Sequence, residues 1–194
     1  MAEPVLDAYL EETREMFRAY KRLAEDAMAQ VCDADLGRQL DGESNSIAII
    51  ARHLGGNLRS RWTDFLTTDG EKPDRHRDAE FESPAATRTD MMAAWEEGWA
   101  RLHATLAGLS AADLGRTVYI RGQAHSVLKA IQRSLTHTAS HVGQIVLLAK
   151  HFCGPNWKTL SIPRGRSEQV NHAVIPRSPA PRDDEESRSE VLSR

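Results

Sequence analysis

The stretch SVLKAIQRSLTHTASHVGQIVLLAKHFCGP, residues 126 to 155, decides how this chain folds. Val127, Leu128, Ile131, Leu135, Val142, Ile145, Val146 and Ala149 recur at the spacing of one helical face, with Lys129, Gln132 and Lys150 opposite. Gly154-Pro155 follows in the order that ends helices, so the pattern predicts a long amphipathic helix from about Ser126 to Phe152. His137 and His141 sit on one border of the apolar arc, with Ala130, Ser134, Gln144 and Leu148 sharing that border above and below. Four residues apart, the two imidazoles stand one turn up the same face and can converge on one metal ion. Spacing alone is a weak signal, because H-x-x-x-H arises readily by chance. The zinc-protease helix carries a Glu after its first His, whereas Thr138, Ala139 and Ser140 lie between these two, which disfavours that chemistry.

Three upstream segments carry the same period. Residues 4 to 31 place Leu6, Leu10, Phe17, Tyr20, Ala24, Met28 and Val31 on one face, with Pro4 suited to a first helical turn. Residues 46 to 66 align Ile47, Ile50, Leu54, Leu58, Arg61 and Phe65, with Asn45 or Ser46 as the N-cap. His53 and Asn57 fall at the edge of that arc, and Arg52 and Arg59 on the solvent side. Gly55 and Gly56 weaken this helix and point either to the close approach of a backbone or ligand, or to a kink. Residues 87 to 109 step through Met92, Trp95, Trp99, Leu102, Leu106 and Leu109, the seam of a bundle helix capped by Thr87 or Thr89. That Met and Trp stripe reads as core rather than as a cofactor slot.

Polar stretches join the helices. Residues 32 to 45 read as a loop, and residues 67 to 86, broken by Gly70, Pro73 and Pro84, read as a longer one of the functional or mobile kind. Thr117 to Ile120, followed by Arg121-Gly122, predicts a short hairpin or extended turn. Beyond Gly154 an extended segment anchored by Trp157, Leu160 and Ile162 is expected over the bundle, and from residue 173 a disordered tail rich in Pro, Ser and charge.

Composition limits the function classes. A chain of 194 residues, 40% hydrophobic and 27% charged, is an ordinary globular domain with spare length. A net charge of -3 with both signs interspersed predicts no nucleic-acid partner. No run approaches the roughly 18 apolar residues of a membrane span, and the acid-rich start does not read as a signal peptide. Cys32 and Cys153 form no CxxC pair, and a reducing cytoplasm is the simplest compartment for them. Both read as inert packing thiols.

A metal bound by His137 and His141 needs at least one further ligand, and the best candidate is His53. Histidines on two helices at the meeting of apolar and polar faces lie where a cleft between helices opens. The charge of Arg61, pointed toward the core arc, requires an acid, a backbone carbonyl or an anionic ligand, an acidic partner such as Asp64 being favoured.

The layout resembles the DinB/YfiT-like superfamily of bacterial four-helix-bundle proteins. HLGGN, with His53, and HTASHVGQI, with His137 and His141, look like its three metal positions, and Gln144 matches the Gln one turn after the last His. NLRSRWTDFLTTDGEKP and WKTLSIPRGRSEQVN look like segments of an uncharacterised branch. The resemblance covers residues 1 to 172, leaving 173 to 194 as the tail. It implies an all-α, up-down-down-up four-helix bundle, with the hairpin before its last helix. It also implies a divalent metal, zinc or nickel foremost, held by His53, His137 and His141 with positions left open. Asn57, Arg61 and Gln144 would line the substrate pocket. Some relatives transfer low-molecular-weight thiols, so a small-molecule substrate and thiol transfer or hydrolysis are expected, and such proteins often form homodimers. No general base is evident beside the ligands in either histidine helix. The alternative is a non-catalytic bundle with structural or vestigial histidines, acting through dimerisation or small-ligand binding.

Overall fold

A computed structural model of the protein describes residues 3–82 and 87–169; the expected tail at 173–194 lies outside them. Among the described residues the chain is mostly helical, with one small two-stranded sheet. In order it forms α1 (Glu3–Met28), α2 (Asp33–Leu36), α3 (Ile47–Trp62), α4 (Ala79–Glu82), α5 (Arg88–Gly108), a 3-10 turn (Ala111–Asp113), β1 (Thr117–Ile120), β2 (Gln123–Ser126) and α6 (Val127–Cys153). Among the described residues no helix is long and apolar enough to cross a membrane. Residues through Lys158 form one compact unit and those from Thr159 a second. The described part of the second holds a turn closed by the Arg166 amide on the Pro163 carbonyl, with Gly165 at φ 74.

Local chemistry sets the ends of the long helices. Ser46, Thr87 and Ser126 each accept a free amide of the first turn, those of Ile49, Asp90 and Lys129. Asp64 at φ 48 breaks the helical path, so α3 stops at Trp62 rather than continuing to Leu66. Gly154 at φ 53 ends α6. Arg121 at φ 55 and Gly122 at φ 72 supply the two left-handed positions of a two-residue hairpin turn. Asp69 holds that turn from the loop after α3, accepting the amides of Arg121 at 2.8 Å and Gly122 at 2.7 Å.

The four long helices share one core. Phe17 of α1 packs edge-on against Trp62 of α3 at 6.2 Å and against Trp99 of α5 at 6.3 Å between ring centroids. α3 packs most extensively on α5, and α1 on α6. The contact of α3 with α5 is made by glycine. A Cβ on Gly55 would fall 2.4 Å from the Ala94 carbonyl oxygen, and one on Gly98 would fall 2.3 Å from that of Gly55. Of the two roles open to Gly55, the close approach of another backbone is the one realised.

Several expectations are corrected. The buried face of α6 includes Ala130, Ser134, Thr138 and Leu148, while Leu128, Leu135 and Val146 are only partly covered. The arc is thus turned about 40° toward the histidine border at 100° per residue. Hydrophobicity alone misplaced it, because small residues are buried wherever neighbours press closest. Met91 rather than Met92 completes the α5 seam. Both polar connections hold a short helix, and Leu36 of α2 is buried. Arg52 and Arg59 stand on the solvent side and there reach the 74–79 loop: Arg52 donates to the Ala79 carbonyl at 3.0 Å, and Arg59 to Asp74 at 3.5 Å, both in exposed contacts.

Substituting Gly55→Ala should lower unfolding stability by about 1–3 kcal/mol, because the backbone of α5 cannot withdraw without disturbing the core. Gly143→Ala, on an exposed turn of α6 where nothing lies within 4 Å, should instead raise it by up to about 1 kcal/mol. Denaturant unfolding followed by circular dichroism measures both, and equal effects would contradict the glycine contact.

Candidate metal centre

Three histidines meet where α3 crosses α6. His53 comes from α3 and His137 and His141 from α6, and one nitrogen from each lies within 4.8 Å of the others. The Nε2 atoms of His53 and His137 are 3.3 Å apart. The ring of His141 stands 4.6 Å from that of His137 and 5.1 Å from that of His53, between centroids. The small side chains of α6 permit this. Ser134 meets α3 directly, accepting the indole N–H of Trp62 at 3.2 Å.

A carboxylate from outside either histidine helix orients His53. Glu80 of α4 lies 2.8 Å from His53 Nδ1 through Oε2. Burial pushes this carboxyl up, but the hydrogen bonds from His53 and Arg75 and the charge on Arg75 outweigh it, so it sits below the usual carboxylate range. An ionised carboxylate only accepts, so Nδ1 of His53 carries a proton toward Glu80, and Nε2 is the nitrogen turned toward His137. Arg75 clamps Glu80 from the far side with two hydrogen bonds of 2.9 Å. Gly56 makes room: a Cβ there would fall 2.3 Å from Glu80 Oε1. The two adjacent glycines thus do different work, Gly55 admitting a backbone and Gly56 a carboxylate.

The other two imidazoles are poised similarly. Gln144 is exposed and accepts from His141 Nδ1 at 2.7 Å, which leaves Nε2 of His141 with its lone pair. Burial pushes the pKa of His137 down to about 3, with the nearby His141, His53, Arg75 and Arg61 adding to it. Burial also lowers that of His141, against the hydrogen bond to Gln144. Both rings are therefore neutral near pH 7, the form that ligates metal. Among the described residues the buried Nδ1 of His137 has no hydrogen-bond partner.

The donor set fits a divalent ion. Ligand nitrogens about 2.0–2.1 Å from a tetrahedral ion stand roughly 3.3 Å apart, which matches the His53–His137 separation of 3.3 Å. Three imidazole ligands suit zinc, nickel and other first-row ions.

Beside the histidines lies a cavity of about 500 Å³, lined by His53 and His137 together with Asn57, Arg61, Trp62 and Ser134, among others. Asn57 and Arg61 thus stand on its wall. Gln144 does not; its contact is with His141. Arg61 pairs with Glu71 at 2.9 Å rather than with Asp64.

Glu80, Arg75 and Glu71 were not legible as site residues. The available signals were the density of charges in GEKPDRHRDAE, inside a loop of unusual length, and a glycine three residues after His53. Neither says which acid reaches the histidine.

Replacing Glu80 with Ala should remove the exchange-protected, downfield Nδ1 proton of His53 from the NMR spectrum. It should also cost about 3 kcal/mol, because the side chain of Arg75, only 2% exposed, loses its two-pronged partner. A downfield proton that persists in the variant would show that another group holds His53.

Compared with curated proteins, the chain finds no match. A family model described as protein of unknown function (DUF1572) matches residues 5–166, which hold all four long helices but for the first residues of α1, and all three histidines. The chain belongs to that family.

Proposed function

We propose that this protein is a metal-dependent member of the DinB/YfiT-like superfamily, binding one zinc or nickel ion through His53, His137 and His141 and acting on a small molecule by thiol transfer or hydrolysis. The observation that carries the reading is the set of three imidazoles with nitrogens within 4.8 Å, two of them oriented through Nδ1 by Glu80 and Gln144. The up-down-down-up order belongs to the same reading. It is supported by the pairs Gly55–Gly98 and Trp62–Thr105 between α3 and α5, and by Trp62–Ser134 and His53–His137 between α3 and α6.

A divalent ion with open positions would supply Lewis acidity, making a thiol or water nucleophilic at neutral pH. The chain's own residues do the rest. Glu80 and Arg75 keep His53 in one tautomer and one orientation, and Gln144 does so for His141. Trp62 and Phe65 give the adjacent cavity an apolar side against which an organic substrate packs. Glu80 is committed to His53 and Arg75, so it acts as a positioning residue.

Metal analysis of protein purified without a histidine tag tests the proposal. One ion per chain is expected, and a His137→Ala, His141→Ala double variant should lose it. Glu80→Gln should keep the ion but bind it about 10–100-fold more weakly. Metal retained equally by the double variant, or absent from the wild type, would leave a non-catalytic bundle as the better reading. Conjugation assays with a panel of thiols and electrophiles separate the two reactions, since a rate indifferent to every thiol counts against transfer.

A further inference from the structure

The cavity beside the histidines is lined by Arg61, Arg75, Arg77, Arg121 and Arg133, and among the described residues no Asp or Glu is on its wall. The balancing acids stand behind it. Glu71 pairs with Arg61 and Arg121 at 2.9 Å and approaches Arg75 at 3.6 Å, while Glu80 is taken by Arg75 and His53. Two carboxylates thus serve three of these guanidinium groups. Among the described residues Arg77 pairs with the strongly exposed Asp78, at 3.4 Å, and lies over the ring of Phe81, 4.9 Å from its centroid. Arg133 is exposed at the wall.

Arg61 carries the sharpest imbalance. Its side chain is 11% exposed, one amino group meets Glu71, and the other, Nη1, is buried with no hydrogen-bond partner among the described residues. A buried, charged donor left unpaired costs more than an orphaned neutral polar group, because more hydration is lost with nothing in return. Burial pushes the pKa of Arg61 down, against Glu71, and the neighbouring Arg75 and Arg121 push the same way as burial. Trp62, Phe65 and Ile120 line the same space, so it has an apolar side as well as a cationic one. A cavity of about 500 Å³ is the size of a small organic molecule.

We propose that this cavity binds the anionic group of a small molecule, a carboxylate or phosphate gripped by Arg61 and Arg133, with the organic part packed on Trp62 and Phe65. Guanidinium groups suit both oxyanions, because their N–H pairs match two oxygens at once. His53 and His137 form part of the same wall, so an anion held there brings the rest of its molecule to the histidine cluster. That last step, the anion as the handle of a substrate, rests on the metal reading; binding of the anion does not.

Titration calorimetry of the full chain with inorganic phosphate and, separately, with succinate tests this, on protein stripped by chelator and on protein reloaded with zinc. Saturable millimolar or tighter binding of at least one anion is expected in both states. Phosphate alone would point to a phosphorylated ligand and succinate alone to a carboxylate. Arg61→Gln and Arg133→Gln should each weaken binding about tenfold or more. The exposed Arg133 keeps the test valid if Arg61→Gln disturbs folding. Binding of neither anion, or binding indifferent to Arg133→Gln and to a folded Arg61→Gln, overturns the proposal. Anion binding by a chain that holds no metal would refute the metal reading alone, and metal without anion binding would refute this one alone.

Discussion

No side-chain atom fits between Gly55 and Gly98, and that contact decides where α3 lies. α3 is the helix on which the remainder depends. It carries His53, Gly56, Asn57 and Arg61, and it is buried against α5 on one side and α6 on another. With the backbones of α3 and α5 touching, the aromatic core closes around Phe17, and the ring of His53 is carried to the two histidines of α6. A helix held a few ångströms further out by two methyl groups would present the same residues to solvent.

Electrostatics then organises what packing brings together. From the histidines outward runs an alternation of groups: His53, Glu80, Arg75, Glu71, and Arg61 with Arg121. Each buried charge is tolerated because the next one is within reach. The series also joins elements remote in sequence. Arg52 of α3 holds the Ala79 carbonyl beside Glu80, and Asp69 holds the hairpin turn that bears Arg121. The long polar connection after α3 is therefore a structural part of the site wall. The cavity wall holds both a guanidinium donor without a partner among the described residues and two of the three clustered histidines, His53 and His137.

The four long helices were legible in the sequence because an amphipathic helix writes its period of 3.6 into the order of its residues. Their caps, Ser46, Thr87 and Gly154, were legible for the same local reason. His53, His137 and His141 could be picked out on the borders of two apolar arcs, and their neighbour Gln144 with them. The Met91 seam and the turned face of α6 were not. A wheel ranks residues by hydrophobicity, whereas burial here follows how closely the neighbouring helix approaches, and Ser134 and Thr138 are covered because they are small.

The sequence by itself therefore determined the four long helices and most of their caps, and it marked the place of the hairpin turn, all features that depend on residues within a turn or two of one another. Only the tertiary structure decided that Gly55 admits a helix and Gly56 a carboxylate, that Glu80 is the acid behind His53, and that five arginines share one wall. Those choices rest on pairs tens of residues apart, such as His53 with Glu80 or Trp62 with Ser134. In a loop rich in both charges every acid can pair with every base. Distance in the folded chain selects among them, because a buried charge is affordable only where its partner already stands.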